Sequence, residues 1–453
     1  IYSDVDGSYY GPDQQIHKAD GWTNYSTFSL WDTYRASHPL FTYTEPERAN
    51  DMIKGFLKFN EQNGALPLWN LYGWETNMMI GYHAVPVIVD AYLKGIGNFD
   101  PEKALEACIA TANRDDYRGI GDYKKLGYVP AYGDPKKWEN WSLSKTLEYA
   151  YDDYCIARAA KVLGKEQDYD YFMKRAMNYK HLIDPETKYM RGRDSQGNWR
   201  TPFSPIAYQG PGSIHGWGDI TEGFTMQYSW YVPHDFQGYM DIVGKDLLLK
   251  RLDELFTIEM DENIPGAHDI QGRIGAYWHG NEPCHHIAFL YNQLGQPWKC
   301  QKWIRTIVSH FYGDEPGSLS GNDDCGQMSA WYIFACMGFY PVAPSSNVYS
   351  IGSPCVKAMK LKLSNGKMIE MIADNWSSRN IYVKELYVNG KKYDKSYLRY
   401  EDIRDGVKLR FVMSSKPNYK RAVSDEAVAP SLSLPGKTMK YQVNLMKTGI
   451  SNQ

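Results

Sequence analysis

Residues 218–223 could carry acid–base chemistry because two carboxylates stand there among glycines. Asp219 could cap the helix that we expect over 219–231, and Glu222 could complement its dipole. However, an amide at Gln227 and two aromatic residues follow at helical spacing. That pattern is also typical of a carboxyl group in an apolar pocket, where burial raises the pKa as a general acid requires. Both interpretations remain open from the residues alone.

A second acidic segment, residues 321–332, contains the adjacent aspartates Asp323 and Asp324 before an apolar run. Asn and Asp are the most common residues at helix N-caps, so a capping role is one interpretation. Capping does not explain why two like charges are adjacent and are followed by glutamine and tryptophan. Carboxylates this close either raise one pKa or bind a cation. The segment is therefore a candidate base or cation site.

Residues 278–286 bring histidines and a glutamate close enough together to suggest a metal site. The spacing is neither H-E-x-x-H nor its inverse, which argues against a zinc enzyme, although a zinc site of His279, Glu282 and His285 stays an alternative. Oxygen donors in a loop, here from Asn281 and Glu282, suit a hard cation such as calcium better. His285 and His286 could instead bind a sugar hydroxyl or simply pack in the core.

Trp31 and Asp32 form a fourth candidate, inside a predicted helix. Aspartate has a poor helix propensity, so Asp32 calls for a specific partner such as a sugar hydroxyl. Aromatic residues make up 15% of the chain, with 14 Trp and 37 Tyr. Flat rings with a polar end suit stacking on the faces of sugars.

These candidates must be positioned by a mainly helical region followed by a smaller β-rich one. Apolar periodicity predicts helices over residues 24–37, 46–62, 76–93, 101–113, 141–162, 165–180, 219–231, 244–257, 283–295, 297–310 and 326–337. Paired helices in this number fit a closed (α/α)6 toroid. An α-solenoid is the alternative, but the sequence contains no repeat of fixed period.

After residue 340 the pattern changes to short strands, predicted over 359–363, 368–372, 381–388 and 407–412 and expected to form an antiparallel sheet. An Asn-Gly pair at 389–390 predicts a hairpin. We therefore expect a catalytic domain over 1–345, a C-terminal β domain over 346–420 and a polar tail over 421–453 that is poorly ordered or lies on the surface.

Charge and hydropathy narrow the class of partner. The net charge of −3 and scattered basic residues argue against nucleic acid or an anionic membrane as the main partner. No apolar run in the first hundred residues approaches the length of a membrane span. Ile1 and the residues after it do not form a signal peptide, so the chain looks processed or truncated.

At these segments the sequence resembles glycoside hydrolase family 92, the calcium-dependent, exo-acting α-mannosidases that invert anomeric configuration. The resemblance runs over about the first 345 residues and the β tail. Its motifs stand at residues 4–7, 31–32, 81–83, 222, 281–283, 322–332 and 338–341. It implies an (α/α)6 toroid joined to a preceding β-sandwich, a terminal α-linked mannose of mannosides or N-glycan mannan as substrate, and a periplasmic or extracellular location.

The resemblance also implies a role for each candidate residue. Glu222 falls on the general acid and Asp324 on the general base, and because position 322 is Asn, a second carboxylate in the base system must be Asp323. Asn281 and Glu282 match the pair that holds Ca²⁺. The remaining candidates are predicted to bind the sugar: Trp31, Asp32, Gln227, His279, His285 and His286.

Two other classes of function remain open. One is a different (α/α)6 enzyme, such as an α-glucoside hydrolase or a phosphorylase, since the fold alone does not fix the sugar. The other is a glycan-binding protein without activity, against which the presence of both Glu222 and Asp324 argues.

Overall fold

The computed structural model describes residues 1–131, 140–209, 218–261, 264, 267, 271–434 and 437–441. Within them the α-helices are α1 (Leu30–Thr33), α2 (Ser37–Thr44), α3 (Pro46–Asn63), α4 (Ala84–Leu93), α5 (Pro101–Ala112), α6 (Ile120–Leu126), α7 (Ser142–Val162), α8 (Glu166–Arg175), α9 (Thr225–Tyr228), α10 (Phe236–Val243), α11 (Lys245–Thr257), α12 (Leu290–Gln293), α13 (Pro297–Phe311), α14 (Gln327–Met337) and α15 (Tyr400–Ile403). Short 3-10 helices cover Asn178–Leu182, Glu282–Cys284, Ile287–Phe289 and Asp425–Ala427.

The strands are short in the helical region and longer near the C-terminus. They are β1 (Ser8–Tyr10), β2 (Ile16–Lys18), β3 (Asn70–Leu71), β4 (Trp74–Glu75), β5 (Arg273–Ile274), β6 (Tyr277–Trp278), β7 (Phe339–Tyr340), β8 (Val348–Ile351), β9 (Ala358–Lys362), β10 (Met368–Asp374), β11 (Tyr382–Val388), β12 (Lys391–Lys392), β13 (Tyr397–Arg399), β14 (Val407–Ser414), β15 (Ser433–Leu434) and β16 (Lys437–Tyr441). Among the described helices, none is both long and apolar enough to cross a membrane.

The chain forms two compact units. Unit 1 comprises Ile1–Tyr34, Glu47–Val232 and Ile258–Ile270, and unit 2 comprises Arg35–Pro46, Pro233–Thr257 and Gln271–Gln453. The domain bounds predicted from the sequence, 1–345 and 346–420, stay a prediction.

The central element of unit 1 is α7, which packs against α4, α5 and α8. Every residue from Ser142 to Ala160 is buried, so the helix has no solvent-facing side along most of its length. Its acidic residues, Glu148, Asp152 and Asp153, therefore need partners inside the protein, because an unpaired buried charge is strongly destabilising. The partners of these three carboxylates lie on α1, α6, α8, α9 and the segment that precedes α4.

Unit 2 contains a five-stranded sheet in the order β12-β11-β14-β10-β9. Buried residues alternate with more exposed ones along β14, so one face of the sheet is covered, and α13 packs against β11. The predicted strands and the Asn389-Gly390 hairpin are confirmed, with φ values of +49° and +79° in the turn. The expected antiparallel order is wrong in one place: β10 and β14 are parallel, because β11 to β13 and α15 provide the long crossover that a parallel pair needs.

Most of the long predicted helices are confirmed within one or two residues: α3, α5, α7, α11, α13 and α14. The helix predicted over 165–180 continues beyond α8 only as a 3-10 turn. Helices α2, α6, α10 and α15 were not predicted. Of the predicted tail, residues 435–436 and 442–453 lie outside the described residues. Its earlier part packs on unit 2, since Ser433 N donates to Asp235 Oδ1 at 2.7 Å.

Four predicted helices are wrong over much of their length. Residues 24–29 have no regular secondary structure, and Phe28 N donates to the Asn70 side chain at 3.2 Å. Residues 76–83 form turns with left-handed φ at Asn77 and Met79, and Arg118 Nη1 donates to the Asn77 carbonyl at 2.7 Å. The helix predicted over 219–231 is reduced to α9, and the one predicted over 283–295 is divided into 3-10 turns and α12. In the first two segments, side-chain hydrogen bonds to the backbone replace helical ones.

Candidate active site

Asn281 and Glu282 lie in unit 2 where the chain turns from β6 into a 3-10 helix. Asn281 is extended, with φ −134° and ψ 119°, and Pro283 follows within the first turn, where its missing N–H costs nothing. The Asn281 carbonyl accepts from Cys284 N at 3.1 Å, and both side chains are buried. Among the described residues, none hydrogen-bonds to Asn281 Oδ1. A buried amide oxygen of this kind is suited to receive a ligand.

Asp323 and Asp324 stand just before α14 but have different surroundings. Asp323 Oδ1 accepts from Ser329 N at 3.0 Å and from Ser329 Oγ at 2.8 Å, so it bonds to the first turn of α14, although the N-cap residue of that helix is Gly326. Asp324 and Cys325 have φ values of +47° and +58°. Such conformations cost on the order of 1–3 kcal/mol each and cluster at functional sites.

This backbone brings the Asp324 carboxylate to Glu282. One oxygen of each lies within 4.8 Å of the other, and the two side chains share a hydrogen bond. Burial raises the pKa of Asp324, that hydrogen bond partly offsets the increase, and the charge of Asp323 adds to it. Two carboxylates in contact require a proton or a cation between them.

The histidines near Glu282 are buried and bonded within unit 2. His279 Nδ1 bonds to the Tyr277 hydroxyl at 2.9 Å and Nε2 to the Tyr312 hydroxyl at 2.7 Å. His285 Nε2 donates to the His279 carbonyl at 3.0 Å. Burial holds the pKa of His279 well below 6.5 and lowers that of His285 to about 3. Both imidazoles are therefore neutral. His286, the residue after His285, is also buried.

Gln327, the first residue of α14, joins these segments. Its Nε2 donates to His285 Nδ1 at 3.1 Å, while its Oε1 accepts from Ala36 N at 2.9 Å and from Ser37 N at 3.1 Å. Trp331 Nε1 adds a bond to the His285 carbonyl at 3.0 Å. Sequence reasoning did not select Gln327, although its position four residues after Asp323 was a usable signal.

In unit 1, Trp31 and Asp32 are buried in α1. The indole of Trp31 packs against Ile80 and Trp141, and its Nε1 donates to Glu148 Oε1 at 3.0 Å. Asp32 Oδ2 accepts a short hydrogen bond from the hydroxyl of Ser29. The site candidate Trp31 is thus fixed by a carboxylate from the buried helix α7.

Glu148 is in turn bonded to His83, which lies in the motif at residues 81–83 but was given no role from the sequence. His83 Nε2 lies 2.6 Å from Glu148 Oε2, and His83 Nδ1 lies 2.8 Å from Asp152 Oδ1. Burial lowers the pKa of His83, but the two carboxylates more than compensate and bring it to about 9. Tyr34 stacks on the ring, with centroids 4.2 Å apart. The available signals were the motif at residues 81–83 and the consecutive aspartates Asp152 and Asp153 in the middle of a predicted helix.

Glu222 also lies in unit 1, in a bend between Thr221 and Gly223, and is half-buried. Thr221 N donates to Ser144 Oγ at 3.1 Å. Gln227, predicted to bind sugar, has its Oε1 bonded to Phe224 N at 3.3 Å and closes the first turn of α9. Glu222 therefore precedes α9 and does not lie on it.

The comparisons with known proteins agree on one family. The description "Glycosyl hydrolase family 92 catalytic domain" matches residues 1–415. A family GH92 α-mannosidase of Bacteroides thetaiotaomicron, solved with mannoimidazole, is 65% identical with a TM-score of 0.94, over 98% of this chain and 58% of that one. A GH92 inverting mannosidase of the same species is 34% identical with a TM-score of 0.82, over 94% and 58%.

A curated relative from Arthroderma benhamiae, described as an uncharacterized secreted glycosidase, is 28% identical over 88% of this chain and 53% of its own length. The chain thus spans between 53% and 58% of the length of these relatives. The family match nevertheless covers nearly all of it. The chain belongs to glycoside hydrolase family 92.

Proposed function

We propose that this chain is the catalytic part of a calcium-dependent, exo-acting α-mannosidase that hydrolyses terminal α-linked mannose with inversion. The family match and the 65% identical α-mannosidase support the sugar, and the 34% identical relative described as inverting supports the stereochemistry. The observation that carries the proposal is the pair of Glu282 and Asp324 carboxylates, with the buried oxygen of Asn281 next to Glu282 in the chain.

Asn281 and Glu282 would hold Ca²⁺. Their donors fit the ion, since calcium takes amide and carboxylate oxygens, and the neutral, internally bonded His279 and His285 do not offer the nitrogen ligands that zinc prefers. Bound calcium would supply positive charge to orient hydroxyl groups of the sugar. A cation would also relieve the repulsion between Glu282 and Asp324.

Glu222 would donate its proton to the glycosidic oxygen as the bond from that oxygen to C1 breaks. Asp324, assisted by Asp323, would accept a proton from the water that attacks C1 on the opposite face. The products are mannose and the free alcohol, and proton exchange with solvent restores both carboxyl groups.

The predicted sugar contacts remain part of the proposal. Trp31 would provide an apolar ring and Asp32 an acceptor for hydroxyl groups, with His286 as a further donor. Gln227, His279 and His285 already use polar side-chain atoms inside the protein. Contact with the sugar would require these atoms to exchange partners or share their hydrogen bonds.

We further propose that the helices close an (α/α)6 toroid and that a β-sandwich acts with it. The greater length of the relatives leaves room for such a domain in them. A periplasmic or extracellular location is supported by the relative described as secreted. Mannosides and the mannose-rich part of N-glycans are the expected substrates.

The experiment is a sugar-release assay with methyl α-mannoside and methyl α-glucoside, after chelation and after addition of Ca²⁺ or Zn²⁺. Mannose release that disappears on chelation and returns only with calcium supports the proposal. Glucose release, or turnover that requires phosphate, would assign another (α/α)6 hydrolase or a phosphorylase. Binding of mannan without release would indicate a glycan-binding protein.

A further inference from the structure

The segment that carries Glu222 is held by a buried carboxylate three residues before it. Asp219 Oδ2 accepts from Arg200 Nε at 2.8 Å, and Asp219 Oδ1 accepts from Arg200 Nη2 at 2.9 Å and from Ser142 Oγ at 3.0 Å. The Asp219 residue is 1% exposed. A bidentate arginine contact of this kind fixes direction as well as distance.

The backbone around Asp219 is attached to the first turn of α7. The Asp219 carbonyl accepts from Leu143 N at 2.9 Å and from Ser144 N at 3.2 Å. Ser144 returns a bond, because its Oγ accepts from Thr221 N at 3.1 Å. Hydrogen bonds of both side chains and backbone therefore hold residues 219–221 against the first turn of α7. Glu222 is the next residue in the chain.

The backbone of Arg200 pairs with that of Gly192, and this position requires a glycine. Arg200 N donates to the Gly192 carbonyl at 2.9 Å. A Cβ on Gly192 would lie 2.6 Å from Asp219 Oδ2 and 3.4 Å from the Cβ of Ala131. A side chain larger than hydrogen at position 192 would displace the Asp219 carboxylate.

We propose that Arg200, Asp219, Ser142 and Ser144 form a clamp that positions Glu222 against the leaving group. These are positioning residues, not catalytic ones, and the inference rests on the proposed role of Glu222 as general acid. Of the four, only Asp219 was noted in the sequence, as a possible helix cap, and its carboxylate binds Arg200 and Ser142 instead. A clamp of this rigidity matters because proton transfer to the departing oxygen requires the acid within hydrogen-bond reach.

Substrates with different leaving groups distinguish a misplaced Glu222 from a loss of protein stability. A misplaced acid slows hydrolysis only when the departing oxygen needs a proton, so methyl α-mannoside would be affected and dinitrophenyl α-mannoside spared. A merely structural role lowers the active fraction and slows both substrates equally. The test variants are Asp219→Asn, Arg200→Lys, Ser144→Ala and Gly192→Ala.

A matched control is Arg175→Lys. Arg175 also pairs with a buried aspartate of unit 1, with Nε 2.9 Å from Asp153 Oδ2. Arg175→Lys is the same chemical change as Arg200→Lys, and among the described residues the hydrogen bonds of Arg175 do not reach residues 219–222.

For Asp219→Asn and Gly192→Ala we expect kcat/KM for methyl α-mannoside to fall by about a hundredfold, as for a misplacement near 1 Å. Dinitrophenyl α-mannoside should lose less than about threefold, and Arg175→Lys should treat the two substrates alike. Equal losses for both substrates in all four variants would overturn the clamp. If Asp219→Asn does not fold, Ser144→Ala and Arg200→Lys decide by the same criterion.

Glu222→Gln distinguishes failure of this inference from failure of the proposed function. If that variant loses methyl α-mannoside hydrolysis selectively while the four clamp variants do not, the acid is right and the clamp is wrong. If Glu222→Gln itself shows no dependence on the leaving group, the assignment of the acid is wrong, and the clamp fails with it.

Discussion

Alkaline pH should destabilise the protein through His83. The folded-state pKa of this imidazole is about 9, against 6.5 for an ordinary histidine. Because the pKa is raised on folding, its contribution is fully present below pH 6.5 and is lost as the pH rises through about 9. At about 1.4 kcal/mol per pKa unit, the loss is about 3 kcal/mol. The group is fully buried, so solvent screening does not reduce this figure much.

The groups that face His83 are Glu148 and Asp152 at its two nitrogens and the ring of Tyr34 above it. Denaturant unfolding measured from neutral to alkaline pH gives the loss of unfolding free energy with pH. His83→Gln should remove most of this loss. NMR of the histidine ring should show that His83 keeps its proton well above neutral pH.

His38 provides the matched control. Burial lowers its pKa to about 3, so its contribution is present above pH 6.5 and is lost as the pH falls from there towards 3. His38→Gln should therefore keep the alkaline loss of stability. If the unfolding free energy falls equally with alkaline pH in wild type and in His83→Gln, the reasoning is refuted.

Three further results are expected. Glu222→Gln and Asp324→Asn should each lower kcat for methyl α-mannoside by about 10²–10⁴-fold, with dinitrophenyl α-mannoside restoring much of the activity of the first variant but not of the second; a loss below tenfold at either position would reassign that residue. Calcium at a hundredfold excess over its Kd should stabilise wild type by about 2.7 kcal/mol, and calorimetry should find this gain missing in Glu282→Ala; an equal gain in that variant would exclude Glu282 as a ligand. Gly338→Ala should cost more stability than Gly366→Ala, because both have φ near +80° but only at Gly338 would a Cβ lie 2.8 Å from Phe411; equal unfolding midpoints would contradict this.

Local patterns predicted the regular elements well. The Asn389-Gly390 hairpin is specified by two residues that accept left-handed φ, and α7 has helix-forming residues along its length. The same signals failed at residues 76–83, where Arg118 holds the backbone in turns. That contact joins positions far apart in sequence, which periodicity cannot register.

The candidate site was predicted in its residue types more than in its contacts. Asp323 and Asp324 looked equivalent, yet Asp323 bonds to Ser329 in the first turn of α14 and Asp324 reaches Glu282. This difference depends on the left-handed φ at Asp324, a conformation that aspartate tolerates better than most residues but that the local sequence pattern does not specify. Similarly, the bond from Glu148 to Trp31 spans 117 positions and could not be inferred from either local segment.

The central claim is inverting, calcium-dependent release of mannose, and proton NMR of the product during hydrolysis tests it most directly. With the calcium-loaded chain and methyl α-mannoside, β-mannose should form first and then mutarotate, while a chelated sample should release no mannose. Initial formation of α-mannose would contradict the roles given to Glu222 and Asp324, and full turnover without metal would contradict the calcium site at Asn281 and Glu282.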